Sequence, residues 1–366
     1  MFTSGNSLAG QSGSMQSWLF VYGPKELVVQ VVRFHPAAAS GAELAEYAEL
    51  QRSAAAFDQP AEPQPTREWA LARLTRPPSP DRRRLYWTAR LGSGELTGTG
   101  DLVLLGDKDT DLAGVGITVS PGFRGRGLGT ALLREVAAAA GTRRTLFAEA
   151  IRTGTSGQAF ADKHEFAVVQ QTVQLSLDLA AADRGRWQVP AASGYRLAQW
   201  TGRAPDQLLV SYAAARNAIR EAPHGEMSFT EPEWTALRVR DEEADARARR
   251  YELRVAAAVH EASGQVAGLT YLEVHEHRPE VAVQQDTAVL EEHRGHGLGS
   301  WLKAANLLRL TADHPAVMHV RTSNAADNEH MLRVNDELGF TRDFTTQNRE
   351  AGLAALRVRL AAAAAS

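Results

Sequence analysis

The sequence predicts an α+β (mixed α/β) protein built from two tandem copies of one fold, each a mixed, mostly antiparallel sheet flanked by helices. The chain has 366 residues, which exceeds one typical domain and fits two of roughly 150–200 residues each. A glycine-rich segment also occurs twice, and the same order of strand-like and helix-like segments surrounds both occurrences. Internal repetition of this kind indicates a duplicated domain.

The repeated segment covers residues 116–133 in the first copy and 286–303 in the second. At an offset of 170 residues both copies contain the pattern Arg-x-x-Gly-x-Gly, beginning at Arg124 and at Arg294. Each pattern follows a β-branched or alternating run and opens a helix-like stretch. We therefore interpret each one as the turn between a strand and a helix.

Around these turns, each copy is predicted to follow the order β-α-α-β-β-β-α-β-α-β-β. The strand-like runs are bounded by Gly, Asp or Pro. In the first copy the strands are 28–34, 85–91, 95–105 and 113–119, and the helices are 41–57, 66–75 and 127–140. In the second copy the strands are 195–200, 252–260, 265–274 and 281–290, and the helices are 204–218, 231–247 and 297–311.

The composition of the connecting segments suggests the domain boundaries. We expect a flexible leader over 1–24, a first domain over 25–179, a linker over 180–193 and a second domain over 194–361. The linker assignment depends on Pro190 and its small polar neighbours. The alanine-rich residues 362–366 are expected to form a frayed tail.

Composition excludes several classes of function. The formal charge of −3 gives no basic surplus, so no nucleic-acid partner is expected. The chain has no cysteine, which rules out disulfides, thiolate metal sites and a cysteine nucleophile. No run approaches the roughly 20 apolar residues that span a bilayer, so no membrane association and a cytoplasmic location are expected. The histidine spacing matches no zinc pattern, and no metal is expected.

The glycine-rich turn is suited to binding an anion. Glycine lets the backbone approach a ligand closely, and a helix N-terminus presents unpaired N–H groups and a partial positive charge. A pyrophosphate is a natural ligand for the N–H groups of 125–130 and 295–300. The motif is not a P-loop, because no Gly-Lys-Ser/Thr follows the required spacer. It is not a dinucleotide-binding fingerprint either, because its glycine spacing is different. The alternative is that the glycines only permit a tight strand–helix crossing.

Both copies resemble the acetyl-CoA motif of the GNAT superfamily of N-acetyltransferases, written Arg/Gln-x-x-Gly-x-Gly/Ala, and the chain resembles a tandem two-domain member. The resemblance implies acetyl-CoA as co-substrate and direct acyl transfer to a primary amine of a small molecule. It implies pantetheine between two splayed strands, and a monomer or homodimer. It assigns these cofactor-binding residues: Val119, Arg124, Gly125, Arg126, Gly127, Leu128, Gly129, Thr130, Val289, Arg294, Gly295, His296, Gly297, Leu298, Gly299, Ser300 and Asn328.

One residue distinguishes the two halves as candidates for catalysis. Asp286 lies in the strand before the second turn, and the equivalent position in the first copy is Gly116. A carboxylate in a mostly apolar strand can have a raised pKa and serve as a general base. Asp286 is therefore our candidate base, and the second domain our candidate catalytic domain. The alternatives are that Asp286 is structural, pairing with a neighbouring strand or capping a turn, or that it binds the amine instead.

The usual general acid of the superfamily is a tyrosine in the signature Asn-x-x-Ala-x-x-Leu-Tyr-x-x-x-Gly-Phe. Here its two positions hold Ala161 and Asn335, and neither side chain can donate a proton to a leaving thiolate. This departure keeps a second interpretation open, in which the chain is a non-catalytic acyl-CoA-binding, regulatory or protein-interaction module. A third interpretation is that both halves are active, each on its own amine.

Overall fold

The computed structural model describes residues 18–22, 27–60, 62–77, 82–106, 111–221, 225–229 and 233–365. Its strands are β1 (Trp18–Tyr22), β2 (Leu27–Phe34), β3 (Arg82–Leu91), β4 (Leu96–Leu105), β5 (Leu112–Val119), β6 (Thr145–Arg152), β7 (Ala167–Asp178), β8 (Tyr195–Thr201), β9 (Tyr251–His260), β10 (Val266–His275), β11 (Arg278–Val289), β12 (His319–Ala325) and β13 (Thr341–Gly352). Its α-helices are α1 (Gly41–Asp58), α2 (Arg67–Leu74), α3 (Leu128–Ala139), α4 (Ser156–Lys163), α5 (Asp206–Arg216), α6 (Ala236–Ala248), α7 (Leu298–Asp313), α8 (Glu329–Leu338) and α9 (Leu353–Ala365).

The two halves have the same layout, which confirms the predicted fold class. The first half runs β2-α1-α2-β3-β4-β5-α3-β6-α4-β7, and the second runs β8-α5-α6-β9-β10-β11-α7-β12-α8-β13. The expectation of two closing strands in each copy was wrong, because each copy ends in one 12-residue strand. The leader predicted over 1–24 lies outside the described residues except for β1, and α9 includes most of the tail predicted over 362–366.

The closing strands join the two halves into one sheet. The described strands form the order β1-β2-β3-β4-β5-β6-β13-β7-β12-β11-β10-β9-β8. Strand β7 of the first half pairs with β12 of the second, and β13 of the second half is inserted between β6 and β7. Helix α9 then packs on α3, where Arg357 Nη2 donates to the carbonyl oxygen of Ala137 at 2.8 Å. The halves are therefore interlocked through backbone pairing.

Local sequence signals account for several helix ends. Helix α1 begins with a capping box between Ser40 and Glu43, which satisfies two backbone N–H groups. Helix α8 begins at the cap Asn328, whose Oδ1 accepts from the N–H of Met331 at 3.1 Å, and ends at Gly339 with a φ of 95°. No helix among the described residues is both long and apolar enough to cross a bilayer.

The segment predicted as a linker, 180–193, packs against the second half. Residues Arg184–Trp187 form a short 3-10 turn, and the ring of Trp187 is buried in the core around α7, α8 and β12. Its Nε1 donates to the carbonyl oxygen of Leu338 at 3.0 Å. Burial of a large aromatic ring with its polar atom satisfied fixes this connection in place.

Candidate active site

Both glycine-rich turns present open helix N-termini. Gly125 and Gly127 have φ values of 75° and 84°, and Gly295 and Gly297 have values of 82° and 73°. Glycine adopts this left-handed region without the steric cost that a Cβ atom brings. Within the described part of the chain, no side-chain hydrogen bond caps the N-terminus of α3 or α7. The N–H groups there are left for a ligand, and an anion is the ligand that a helix N-terminus favours.

A split in the sheet lies next to each turn. The parallel strands β5 and β6 pair over only three residues, from Leu112 to Gly114, and then separate. Strands β11 and β12 do the same from Val281 to Val283. Beyond this point β5 and β11 pair only with β4 and β10, on their other side, up to Val119 and Val289. These two valines end the strands that lead into the turns. Each half therefore has an opening between two strands beside a helix N-terminus that begins at a glycine-rich turn.

The arginines at the head of the turns brace the strand ends. Arg124 Nε donates to the carbonyl oxygen of Val119 at 3.0 Å, and its two Nη atoms bind both carboxylate oxygens of Asp58 at 2.6 and 2.7 Å. Arg294 Nε donates to the carbonyl oxygen of Val289 at 3.3 Å. The arginine of the first turn is thus committed to α1, which the sequence pattern did not indicate.

Strand β11 contains a bulge at the candidate base. Thr287 pairs with Thr270 and Gln284 pairs with Leu272, so Gln285 and Asp286 together lie opposite the single residue Tyr271. A bulge re-aims the side chains of its strand and is common beside active sites. The first half has no such feature, because β4 and β5 pair without interruption.

The bulge places Asp286 in a cluster of charged and aromatic side chains on the sheet face that carries α5. Its Oδ2 lies 3.6 Å from Arg216 Nη2 and 3.5 Å from Tyr271 Oη. Arg216 also forms an ion pair with Glu242, and its guanidinium carbon stacks 3.4 Å from the centroid of the Trp234 ring. The Arg216 side chain is 3% exposed and the Asp286 side chain is 37% exposed. The arginine is therefore fixed, and the carboxylate remains accessible.

Burial shifts the pKa of two carboxyl groups in this cluster. It raises the pKa of Asp286, although Arg216 and the Tyr271 hydroxyl act in the opposite direction. It also raises the pKa of Glu273, whose Oε2 accepts from Gln285 Nε2 at 2.9 Å. A carboxylate with a raised pKa and solvent access is suited to accept a proton near neutral pH.

Comparison with known proteins gives the family. A model of the acetyltransferase (GNAT) family matches residues 44–166. The chain is 31% identical over 307 residues to the mycothiol acetyltransferase of Salinispora tropica, covering 81% of this chain and 90% of the relative. The chain belongs to the GNAT family of acetyltransferases. The sequence-based resemblance is therefore confirmed, and the protein is an N-acetyltransferase.

Solved structures agree with the tandem layout of this acetyltransferase. A tandem GNAT protein from the clavulanic acid biosynthesis pathway is 29% identical, covers 89% of this chain and 98% of its own, and has a TM-score of 0.74. A GCN5-related N-acetyltransferase from Sphaerobacter thermophilus shares the fold at 17% identity, with coverages of 89% and 96% and a TM-score of 0.64. GNAT enzymes use acetyl-CoA as the acetyl donor.

The signature positions of the acetyltransferase family have structural roles in the second half. Asn335, at the place of the usual tyrosine, is 0% exposed and donates from Nδ2 to Asn324 Oδ1 at 2.6 Å. Asn328, predicted to bind the cofactor, caps α8. In the first half Ala161 is buried in the core beside α3. No described cluster of three or more His, Asp or Glu side chains is arranged to hold a metal ion.

One carboxylate in the first half of the acetyltransferase was not predicted from the sequence. Asp101 on β4 pairs directly with Gly116 on β5, and a Cβ atom added to Gly116 would lie 2.3 Å from Asp101 Oδ1. At the repeat offset, Asp101 corresponds to Tyr271 and Gly116 to Asp286. The acid is therefore on β4 in the first half and on β11 in the second half. Both halves place a carboxylate in the same part of the sheet.

Proposed function

We propose that this protein transfers the acetyl group of acetyl-CoA directly to a primary amine of a small molecule, with the chemistry in the second half. The observation that carries the proposal is the position of Asp286. It lies at a bulge in the strand that opens away from β12 and leads into the second glycine-rich turn. The first half has glycine at the equivalent place.

The proposed sites of the co-substrate are the two glycine-rich turns. The pyrophosphate would accept from the open N–H groups of 295–300, and the pantetheine would lie between the separated ends of β11 and β12. The same geometry at 125–130 suggests a second acetyl-CoA site. Only the second half combines this geometry with an accessible carboxylate on the strand that precedes the turn.

The proposed chemistry needs one proton acceptor. Asp286 takes a proton from the substrate ammonium, either directly or through one water molecule. The free amine then attacks the thioester carbonyl carbon and the carbon–sulfur bond breaks. The second proton of the attacking nitrogen passes through solvent to the departing CoA thiolate, so the products are the amide and free CoA. Arg216 holds the carboxylate in position from a buried site fixed by Glu242 and Trp234. The raised pKa of Asp286 makes it a stronger base than an ordinary aspartate.

The test is release of free CoA. The full chain is incubated with acetyl-CoA and a panel of small primary amines, and thiol is followed with a colorimetric reagent. The chain has no cysteine, so the protein adds no background. We expect amine-dependent release, and acetyl-CoA binding by calorimetry at millimolar ligand or below. An absence of acetyl-CoA binding would contradict the proposal.

A further inference from the structure

A second cavity lies in the first half, on the sheet face that carries α1 and α2. Its volume is about 280 Å³, which suits a molecule of amino-acid size. Strands β3 and β4 contribute Arg84, Tyr86 and Asp101 to its lining. Arg278 and Arg321 reach it from β11 and β12 of the second half. The cavity is thus complete only when the two halves are together.

The cavity is strongly basic. Six arginines line it, against the two carboxylates of Glu62 and Asp101: Arg52, Arg73, Arg76, Arg84, Arg278 and Arg321. Several of these guanidinium groups are held in place by the protein. Arg84 Nη1 binds Asp101 Oδ2 at 2.7 Å, Arg321 pairs with Glu62, and Arg278 Nη2 donates to the carbonyl oxygen of Pro63 at 2.7 Å.

Two of the arginines make no ion pair with any described carboxylate. Arg73 stacks on the ring of Trp69, with its guanidinium carbon 4.8 Å from the ring centroid. Arg76 is half-buried and lies two residues after the end of α2. Burial, and then the positive charge of Arg84, lowers the pKa of Arg76. A half-buried cation beside other cations is costly, and a bound anion would remove that cost.

The cavity also offers one position for a cation. Arg84 binds only Oδ2 of Asp101, and among the described residues no donor reaches Oδ1. That oxygen lies next to Gly116, and it occupies the space that the side chain of any other residue at position 116 would need. The Asp101 side chain lines the cavity and is 23% exposed, and an ammonium group is the natural partner of a carboxylate that faces a cavity.

We propose that this cavity is a second ligand site, which takes a small amine that also carries a carboxylate group. The carboxylate binds Arg76 and Arg73, and the ammonium binds Asp101 Oδ1. Arg278 and Arg321 close the site from the second half, so the ligand also bridges the two halves. Binding at this site does not depend on the transferase chemistry proposed for Asp286.

The test is calorimetry of the full chain with three matched probes: 4-aminobutyrate, butylamine and butyrate. We expect 4-aminobutyrate to bind roughly tenfold or more tightly than either probe that lacks one charge, since each charged hydrogen bond contributes about that factor. Arg76→Met should remove the preference over butylamine, and Asp101→Asn should remove the preference over butyrate. The exposed Arg196 supplies the control variant Arg196→Met, which should bind as the wild type does.

Two outcomes would overturn the proposal: the three probes bind equally or not at all at millimolar concentration, or Arg76→Met keeps wild-type affinity. Arg76 has no described ion pair to lose, so Arg76→Met should unfold at the wild-type temperature or above it. Arg73→Met repeats the test if that variant does not fold. Asp286→Asn should bind 4-aminobutyrate normally. Loss of binding in Asp286→Asn would place the ligand in the second half and also overturn the proposal.

Discussion

Lys303 should make the stability of this protein depend on pH in a way that one substitution removes. The side chain lies on α7, is 1% exposed and forms no ion pair with a described carboxylate. Burial lowers its pKa from 10.5 to about 7. Because the unfolded chain holds this proton up to a higher pH than the folded protein, the free energy of unfolding should rise with pH between these two values.

The magnitude follows from the shift. Each pH unit between about 7 and 10.5 should add about 1.4 kcal/mol to the free energy of unfolding. The penalty from Lys303 is therefore about 4 kcal/mol at neutral pH and falls below about 1 kcal/mol at pH 10. Lys303→Met replaces the ammonium with an apolar group of similar length. It should be more stable than the wild type at pH 7 and nearly equal to it at pH 10.

Urea unfolding of wild type and Lys303→Met at pH 7, 8, 9 and 10 measures this difference. The difference between the two free energies should shrink steadily with pH. Lys163→Met, which removes an exposed lysine at the end of α4, is the control, and its curve should run parallel to the wild type. If the difference in free energy of unfolding between Lys303→Met and the wild type is the same at every pH, the buried ammonium of Lys303 is not the cause of the pH dependence.

Two further predictions concern the turns and the acid cluster. A Cβ atom at Gly129 would meet Phe160 at 3.0 Å, whereas at Gly299 the nearest atom is Thr287 Cγ2 at 3.8 Å. Gly129→Ala should lower the melting temperature, whereas Gly299→Ala should keep the melting temperature and raise the KM for acetyl-CoA. Equal losses of turnover in the two variants would contradict the assignment of catalysis to the second half. Arg216→Gln removes the cation that lowers the pKa of Asp286, so the acidic limb of the pH–rate profile should move to higher pH. If the acidic limb does not move, Arg216 does not influence the group whose ionisation produces that limb.

The features of this molecule that depend on residues adjacent in the sequence could be predicted from the sequence. The two turns, the helices that follow them and the strands that precede them are fixed by local patterns of glycine, apolar and β-branched residues. Gly127 and Gly297 adopt left-handed φ values where the motif requires them. The repetition of these patterns was enough to identify the tandem fold.

The insertion of β13 between β6 and β7 could not be predicted in this way. Its pairing with β6 and β7 joins residues more than 160 positions apart, as in Arg349 with Ala148 and with Val168. Backbone hydrogen bonds carry this pairing, and they leave no residue-specific signal. The order of elements alone therefore predicted two closing strands within each copy.

Asp101 was missed for a related reason. The motif directs attention to the strand before each turn, and in the first copy that strand has Gly116 at the position of Asp286. The partner of Gly116 depends on the register between β4 and β5, which differs from that of β10 and β11 by the bulge at Asp286. A register is set by the paired strands together and cannot be read along one strand.

Whether Asp286 accepts the substrate proton is decided by the pH–rate profile of Asp286→Asn, measured beside the wild type. The amide keeps the shape of the side chain and removes its basic function. We expect kcat to fall roughly 10²–10⁴-fold, as is typical of losing one general base, with loss of the acidic limb and unchanged acetyl-CoA affinity. A variant with near-normal kcat and the acidic limb intact would contradict this assignment.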